Sequence, residues 1–252
     1  MNLLFALTYL LITQQANIIT TESEKKSPPE IALNPNTQQV FVAATRDPEW
    51  KTYRAFVAGM NIFEQRKKLA PLAPLGFAVL SQTPNASLSG IMIRIAGEKT
   101  STSIAVANDG RFSLPLLPEA VDDNAELLLN RKKGSYVWRP DIRTPGIPNH
   151  TRRLGDLRLE CEVRWEIEQH ELPYLMKKVF NAHGGPCHSK QIQVDFLSPE
   201  KIISIQLVDK NRRENLALSR IENNGKTYYP PVHDVMWSDE TLLEFFYDQG
   251  NQ

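Results

Sequence analysis

The chain has 252 residues, 29 of them basic and 29 acidic, for a formal net charge of zero. That balance gives the chain as a whole no electrostatic case for a nucleic acid or an anionic membrane surface as its partner. Seventeen prolines and 41% hydrophobic residues suit a soluble protein with many turns, long enough for one large or two small domains.

Leu3–Ile12 is an apolar run followed by Gln14, Gln15 and Ala16. It is too short to cross a bilayer but suits the apolar region of a secretory signal. No Lys or Arg precedes it, which departs from the usual signal pattern. The expectation is a signal peptide over residues 1–16 and a periplasmic or secreted mature chain. No later apolar run reaches a membrane-spanning length, so no transmembrane segment is expected in the mature chain. Residues 17–46 are polar, with Glu24-Lys25-Lys26-Ser27-Pro28-Pro29 and Asn34-Pro35-Asn36. They read as extended or disordered, with a short strand at Gln39–Ala43.

From Asp47 the chain reads as a helix. Asp47 can cap free amides, Pro48 suits the first helical position, and Trp50, Tyr53, Val57, Met60 and Phe63 make a stripe at spacings of three and four. Arg66-Lys67-Lys68 falls in the last turn and Pro71 ends it. A partner-binding or membrane-surface role and simple packing on a sheet both fit the stripe. Its aromatic content and mixed charges favour packing.

Short strands follow at Pro74–Leu80, Ile91–Ile95, around Ile104 and Val106, around Phe112 and Leu114, at Ala125–Asn130 and at Ser135–Trp138. Asn108-Asp109-Gly110 reads as the turn of a hairpin. Residues 140–148 carry three prolines and a glycine and form an irregular connection. Asp156–Ile167 then alternates strictly: odd positions are apolar or sulfur and even positions are charged. That period of two predicts a long strand with a buried and a wet face. Residues 47–168 therefore read as a packing helix plus an antiparallel β-sandwich. Residues 169–252 read as a second β-rich half with one helix over Leu172–Phe180. Strands are expected there at Gln191–Phe196, Ile202–Val208 and Thr227–Pro231. Thr241–Tyr247 fits either a strand or a helix.

The stretch Ile104-Ala-Val-Ala-Asn-Asp-Gly-Arg-Phe-Ser-Leu-Pro115 resembles the strand–turn–strand of carboxypeptidase regulatory-like domains, which are transthyretin-like β-sandwiches common in secreted bacterial proteins. The likeness extends through flanking strands over Pro74–Glu168. Arg153-Leu-Gly-Asp-Leu-Arg-Leu-Glu-Cys161 is similar to segments of uncharacterised periplasmic proteins built this way. The prolines at 140–148 and the thin threonine content before Asp109 depart from the pattern. The resemblance implies a β-sandwich and a non-catalytic role. It carries over no functional residue.

The two cysteines, Cys161 and Cys187, are expected to pair in an exported chain. The bridge would pin the Leu172–Phe180 helix to the long strand. The alternative is a metal site from His183, Cys187 and His188, with His170 as a further ligand, although the spacing matches no strong zinc pattern. A second polar cluster lies at Pro230–Glu240. There His233 beside Asp234 could belong to an acid–base pair or a metal site, with Asp239 and Glu240 near the start of an element. Neighbours in extended chain point apart, so a proline-stiffened loop is the simpler reading. Nucleotide-binding, zincin, nucleophile-elbow and EF-hand motifs are absent from the sequence. Asn85-Ala-Ser and Asn149-His-Thr match the glycosylation pattern. The leading expectation is a non-catalytic envelope module that binds another protein or stabilises a surface assembly, with no cofactor. A hydrolase or metal enzyme using His183–His188 or His233–Asp239, and a carrier of a small ligand, are the alternatives.

Overall fold

A computed structural model describes residues 47–83 and 86–248. The expected signal peptide, the residue 17–46 segment up to Arg46 with its Gln39–Ala43 strand, and Asn85 lie outside the described residues.

In chain order the elements are β1 (Pro48–Thr52), α1 (Tyr53–Arg66), β2 (Leu75–Ser81), β3 (Ile93–Ala96), β4 (Ser101–Ile104) and β5 (Arg111–Phe112). Next come α2 (Pro118–Asp122), β6 (Glu126–Lys132), β7 (Tyr136–Ile142), β8 (Thr151–Arg153), α3 (Leu154–Glu168) and α4 (Tyr174–Ala182). The chain continues with β9 (Phe196–Leu197), β10 (Ile202–Asp209), β11 (Arg212–Asn215), β12 (Ile221–Glu222), β13 (Thr227–Tyr228) and β14 (Leu242–Tyr247). The protein is thus β-rich, with strands in several antiparallel sheets. Two sheets, β1-β6-β3-β4 and β5-β2-β7, come from the first half. The other two are β11-β10-β14-β8 and β12-β13-β9. The described residues belong to one compact unit.

Helix α1 begins later than its capping chemistry suggests. Asp47 takes a left-handed backbone, φ 57°, and Pro48–Thr52 pairs with β6 as an edge strand. A side-chain cap contributes about 1 kcal/mol; a ladder against the apolar Leu127-Leu128-Leu129 run outweighs it. Glu49 accepts a 2.8 Å bond from the Gly134 amide across this edge. Trp50 consequently sits on a strand and stays half-exposed, whereas Tyr53, Phe56 and Phe63 of α1 are buried. The Tyr53 hydroxyl donates to Pro115 O at 2.6 Å and accepts from Leu117 N at 2.9 Å.

The Asp109-Gly110 turn forms, with Gly110 at φ 85° and its amide on Ala107 O at 2.9 Å. Its flanking strands do not pair as a hairpin: β4 joins β3 while β5 joins β2. Consecutive β6 and β7 divide in the same way, pairing with β3 and β2 respectively. Each sheet sends its apolar face into one core with α1: Ile93, Ile95, Leu127 and Leu129 from the first sheet, Phe77, Val79, Phe112 and Trp138 from the second. A second core gathers Phe196, Ile205, Leu207, Tyr228, Trp237, Leu243 and Phe245.

Asp156–Ile167 is not a strand. It lies within α3, which runs between the two cores. Helical residues advance by about 100°, so every second residue turns about 200° and every fourth drifts only about 40°. The alternating pattern therefore splits into two opposite apolar stripes. Leu159, Val163 and Ile167 enter the first core. Leu154, Leu157 and Cys161 enter the second, with Trp165 packed at its margin. The charged positions fall into the two seams between these stripes. Period two means one buried face only if the chain is extended; a helix clamped between two apolar layers gives the same string. The boundary expected between residues 168 and 169 falls at the end of α3, and the second core draws residues from before it.

The remaining expectations divide by length. The Leu172–Phe180 helix is present as α4, started by Pro173, and Ile202–Val208 is within β10. Thr241–Tyr247 resolves as a strand, β14. Gln191–Phe196 contributes only Phe196 to a strand, and Thr227–Pro231 only Thr227 and Tyr228.

Candidate interaction loop

Each seam of α3 is a row of charges with identified partners. In one seam Asp156 accepts from Thr144 N at 2.7 Å and Thr144 Oγ1 at 2.6 Å. Glu160 accepts from Ile142 N at 2.7 Å and Arg152 Nη2 at 2.5 Å. Arg164 donates to Asp195 and Glu168, and Arg139 also reaches Glu168. Glu160 is buried. Loss of water pushes its carboxyl up to about 7, against the pull of the Arg152 guanidinium.

The other seam begins with Arg158, and Arg158 organises residues 230–241. Its Nε donates to Val232 O at 2.9 Å. Nη2 donates to Asp234 O at 2.7 Å and Trp237 O at 2.9 Å, and Nη1 reaches the Asp239 carboxylate at 2.5 Å. A planar guanidinium can serve several acceptors at fixed angles; an ammonium could not. From the opposite side Arg212 lies 3.6 Å over the Trp237 ring and donates to Met236 O at 3.3 Å. Asp209 accepts from Ser238 N and Thr241 Oγ1, both at 3.1 Å; the Ser238 amide holds its carboxyl below the usual carboxylate range. Inside the loop, Asp234 Oδ1 accepts the Met236 amide at 3.0 Å.

The base of the loop closes onto the start of α3. The amides of Leu154 and Gly155 donate to Thr241 O at 2.8 Å and Asp239 O at 2.9 Å, satisfying donors that a helix start leaves open. Arg153 grips Glu240 with two nitrogens and donates to Leu69 O at 2.5 Å; that grip holds the Glu240 carboxyl below its usual range. Gly155 permits this closeness: a Cβ there would lie 2.2 Å from Leu69 O. The result is a loop with a pinned base, a buried Trp237, and an apex whose Val235 and Met236 are 89% and 74% exposed.

The polar candidates do not converge into a catalytic group. Asp234 is occupied by the turn amide of Met236 and His233 by neither a carboxylate bond nor a metal cluster; partial burial pulls the His233 imidazole down. Cys187 is bridged to Cys161, with Cα atoms 5.8 Å apart, so its sulfur is unavailable as a thiolate ligand. His188 Nε2 lies 2.7 Å from Glu162, His170 lies 3.7 Å from Glu166, and His183 Nδ1 lies 2.8 Å from Val179 O. Among the described residues no group of three His, Cys, Asp or Glu side chains is placed to hold a metal ion. Among them also no helix is long and apolar enough to cross a membrane.

Sequence reasoning singles out 230–240 as a polar, aromatic cluster but not the side chain that builds it. Arg158 is one of six charges in an alternating run, and only the helical reading of that run separates it from its neighbours. No family model, curated protein or solved structure matches the chain.

Proposed function

We propose that the chain is a non-catalytic β-sandwich module of the cell envelope that binds another protein, with loop 230–241 as its contact element. The observation that carries this reading is the apolar Val235-Met236 apex held out by a base that Arg158, Arg212 and Asp209 immobilise. A preformed loop loses little conformational freedom on binding, so its apolar tip converts burial into affinity efficiently. Apolar side chains surrounded by fixed polar contacts are also the usual make-up of an interface centre.

The sandwich, and with it the likeness to carboxypeptidase regulatory-like domains, is supported by the two first-half sheets sharing one core and by the chain passing between them at β4–β5 and β6–β7. A location outside the cytoplasm is supported by the Cys161–Cys187 bridge, which persists in oxidising compartments. Two concavities bear on the carrier and enzyme alternatives. One is an open depression of about 520 Å³ lined by Glu98, Lys99, Asp122, Asp123 and Glu126. The other is a void of about 10 Å³ beside Trp138 and Arg139. The first is polar and open, the second holds no more than a water, and neither joins His to a carboxylate.

A photo-crosslinking residue at position 235, in the full chain within its native envelope, tests the proposal. The expected result is one discrete protein adduct that disappears when Met236→Ser is added. Crosslinking only to lipid or to nothing would refute it.

A further inference from the structure

We propose that the chain self-associates through β4, whose free edge pairs antiparallel with β4 of a second copy about a two-fold axis. This contact does not involve loop 230–241. Strand β4 ends its sheet, with β3 on one side and no described strand on the other. Such an edge presents unpaired N–H and C=O groups, and proteins commonly guard it with charges or proline. The other edges of this fold are guarded in that way. Among the described edge strands of three or more residues, β1 and β7 contain Pro48 and Pro140, β8 contains Arg152 and Arg153, and β11 contains Arg212 and Arg213. Only β4, Ser101-Thr102-Ser103-Ile104, carries neither charge nor proline.

Backbone phase identifies the groups that are free. Gly97 N donates to Thr100 O at 2.8 Å, which makes 97 and 100 a bonded pair in the β3–β4 register. Bonded and non-bonded pairs alternate along an antiparallel ladder. Thr102 and Ile104 therefore bond Ile95 and Ile93, whereas the N–H and C=O groups of Ser101 and Ser103 point away from β3. The other side of β3 agrees. Asn130 N donates to Met92 O at 3.1 Å, so the even-numbered residues of β3 bond β6 and only the odd-numbered ones bond β4.

The side chains select a register that uses those free groups. Ser101-Thr102-Ser103 is a palindrome about Thr102. A two-fold axis through Thr102 sets Ser101 opposite Ser103 of the second copy, Ser103 opposite Ser101, and Thr102 opposite its own counterpart. Ser101 and Ser103 are the residues with outward backbone groups, so both serine pairs exchange their N–H···O bonds across the junction. Cross-strand Ser and Thr pairs are themselves favourable. Beyond them Thr100 faces Ile104 and Lys99 faces Ala105, so no like charges meet. The formal net charge of the chain is zero, and two copies therefore approach without overall repulsion. A strand from an unrelated protein would meet the same backbone groups, but only a second copy matches the palindrome. Closed two-fold dimers are the commonest assemblies of identical chains.

Sedimentation velocity of the full-length protein, from low micromolar to about 1 mM, tests the contact. A reversible monomer–dimer equilibrium is expected. Ser103→Pro removes an outward N–H without removing a bond to β3, and proline is tolerated on an edge strand; it should abolish the dimer. Ser101→Glu with Ser103→Glu should also abolish it, by setting carboxylates opposite carboxylates. Ser101→Lys with Ser103→Glu should restore it at least to the wild-type strength, because each lysine then faces a carboxylate. Both double variants place the new carboxylate at 103 beside Arg94, which favours the β3–β4 pairing within each copy. Ser101 and Ser103 are exposed, so unchanged melting temperatures will show that the variants fold. If Ser103→Pro does not fold, the two double variants decide. Val235→Ser with Met236→Ser should leave the association unchanged, which separates this contact from the loop proposal. A monomer at every concentration would overturn the pairing. So would a dimer that survives Ser103→Pro, that responds alike to the two double variants, or that is lost with Val235 and Met236.

Discussion

Glu160→Gln should alter the pH dependence of stability in a direction set by burial. Gln preserves the carbonyl oxygen that accepts from Ile142 N and Arg152 Nη2, and it removes the titration. The Glu160 carboxyl moves from an ordinary value of 4.5 to about 7 in the folded protein. Its proton is therefore held more tightly in the folded than in the unfolded chain. The stability this contributes is fully present below the unfolded value and is lost as pH rises through the folded one. Each pH unit between the two values corresponds to about 1.4 kcal/mol. The wild type should therefore lose on the order of 3 kcal/mol relative to Glu160→Gln between about pH 4 and pH 8. Urea unfolding of both proteins across that range measures the difference. Any fixed penalty of the Gln amide displaces the curve without tilting it, and carboxylates common to both, such as Asp141 and Asp195, largely cancel. A difference that stays flat would refute the reasoning, since Glu160 would then titrate alike folded and unfolded. A difference that grows in favour of the wild type as pH rises would show that Arg152 outweighs burial.

Other substitutions probe the remaining parts of the fold. Reducing the Cys161–Cys187 bridge, which spans 26 residues, should lower unfolding free energy by roughly 3.5 kcal/mol on the chain-entropy model. Thermal melts with reductant should show the loss, and melts with EDTA should not. Leu157→Ala and Leu159→Ala, both fully buried but in different cores, should each destabilise by about 3–5 kcal/mol in urea titrations. A small effect at either position would contradict an α3 buried on both sides. Arg158→Ala should accelerate amide exchange at Met236 and Ser238 and lose the adduct at position 235. Arg158→Lys should restore the charge but not the loop, because one ammonium cannot replace the four bonds.

Local chemistry made several elements legible in the sequence. The Asp109-Gly110 turn, the Pro173 start of α4 and the Ile202–Val208 strand all depend on residues within a few positions of one another. So did the cysteine pairing, through count and compartment. What escaped depended on partners distant in the chain. Alternation in Asp156–Ile167 marks which residues are apolar without saying how many apolar layers receive them; two layers turn a strand pattern into a helix. Asp47-Pro48-Glu49 has helix-start chemistry, but β6 offers Pro48–Thr52 a ladder. Arg158 resembled any other charge until the helix aimed it at a loop more than seventy residues away.

The capping of α3 has a consequence for the order in which the protein can be made. Arg153 meets Glu240 across 87 residues, and Arg158 meets Asp239 across 81. A ribosome therefore completes α3, and every strand of the first core, well before it delivers the carbonyls and carboxylates that satisfy the helix's leading end. Until then Arg158 lacks its four acceptors and Arg153 lacks Glu240, and Leu154 and Leu157 lack the later residues of the second core. The nascent chain must hold this junction open to water and close it late, a route that long-range pairing makes slow. Loss of the final strand would be felt first at the middle of the molecule rather than at its end.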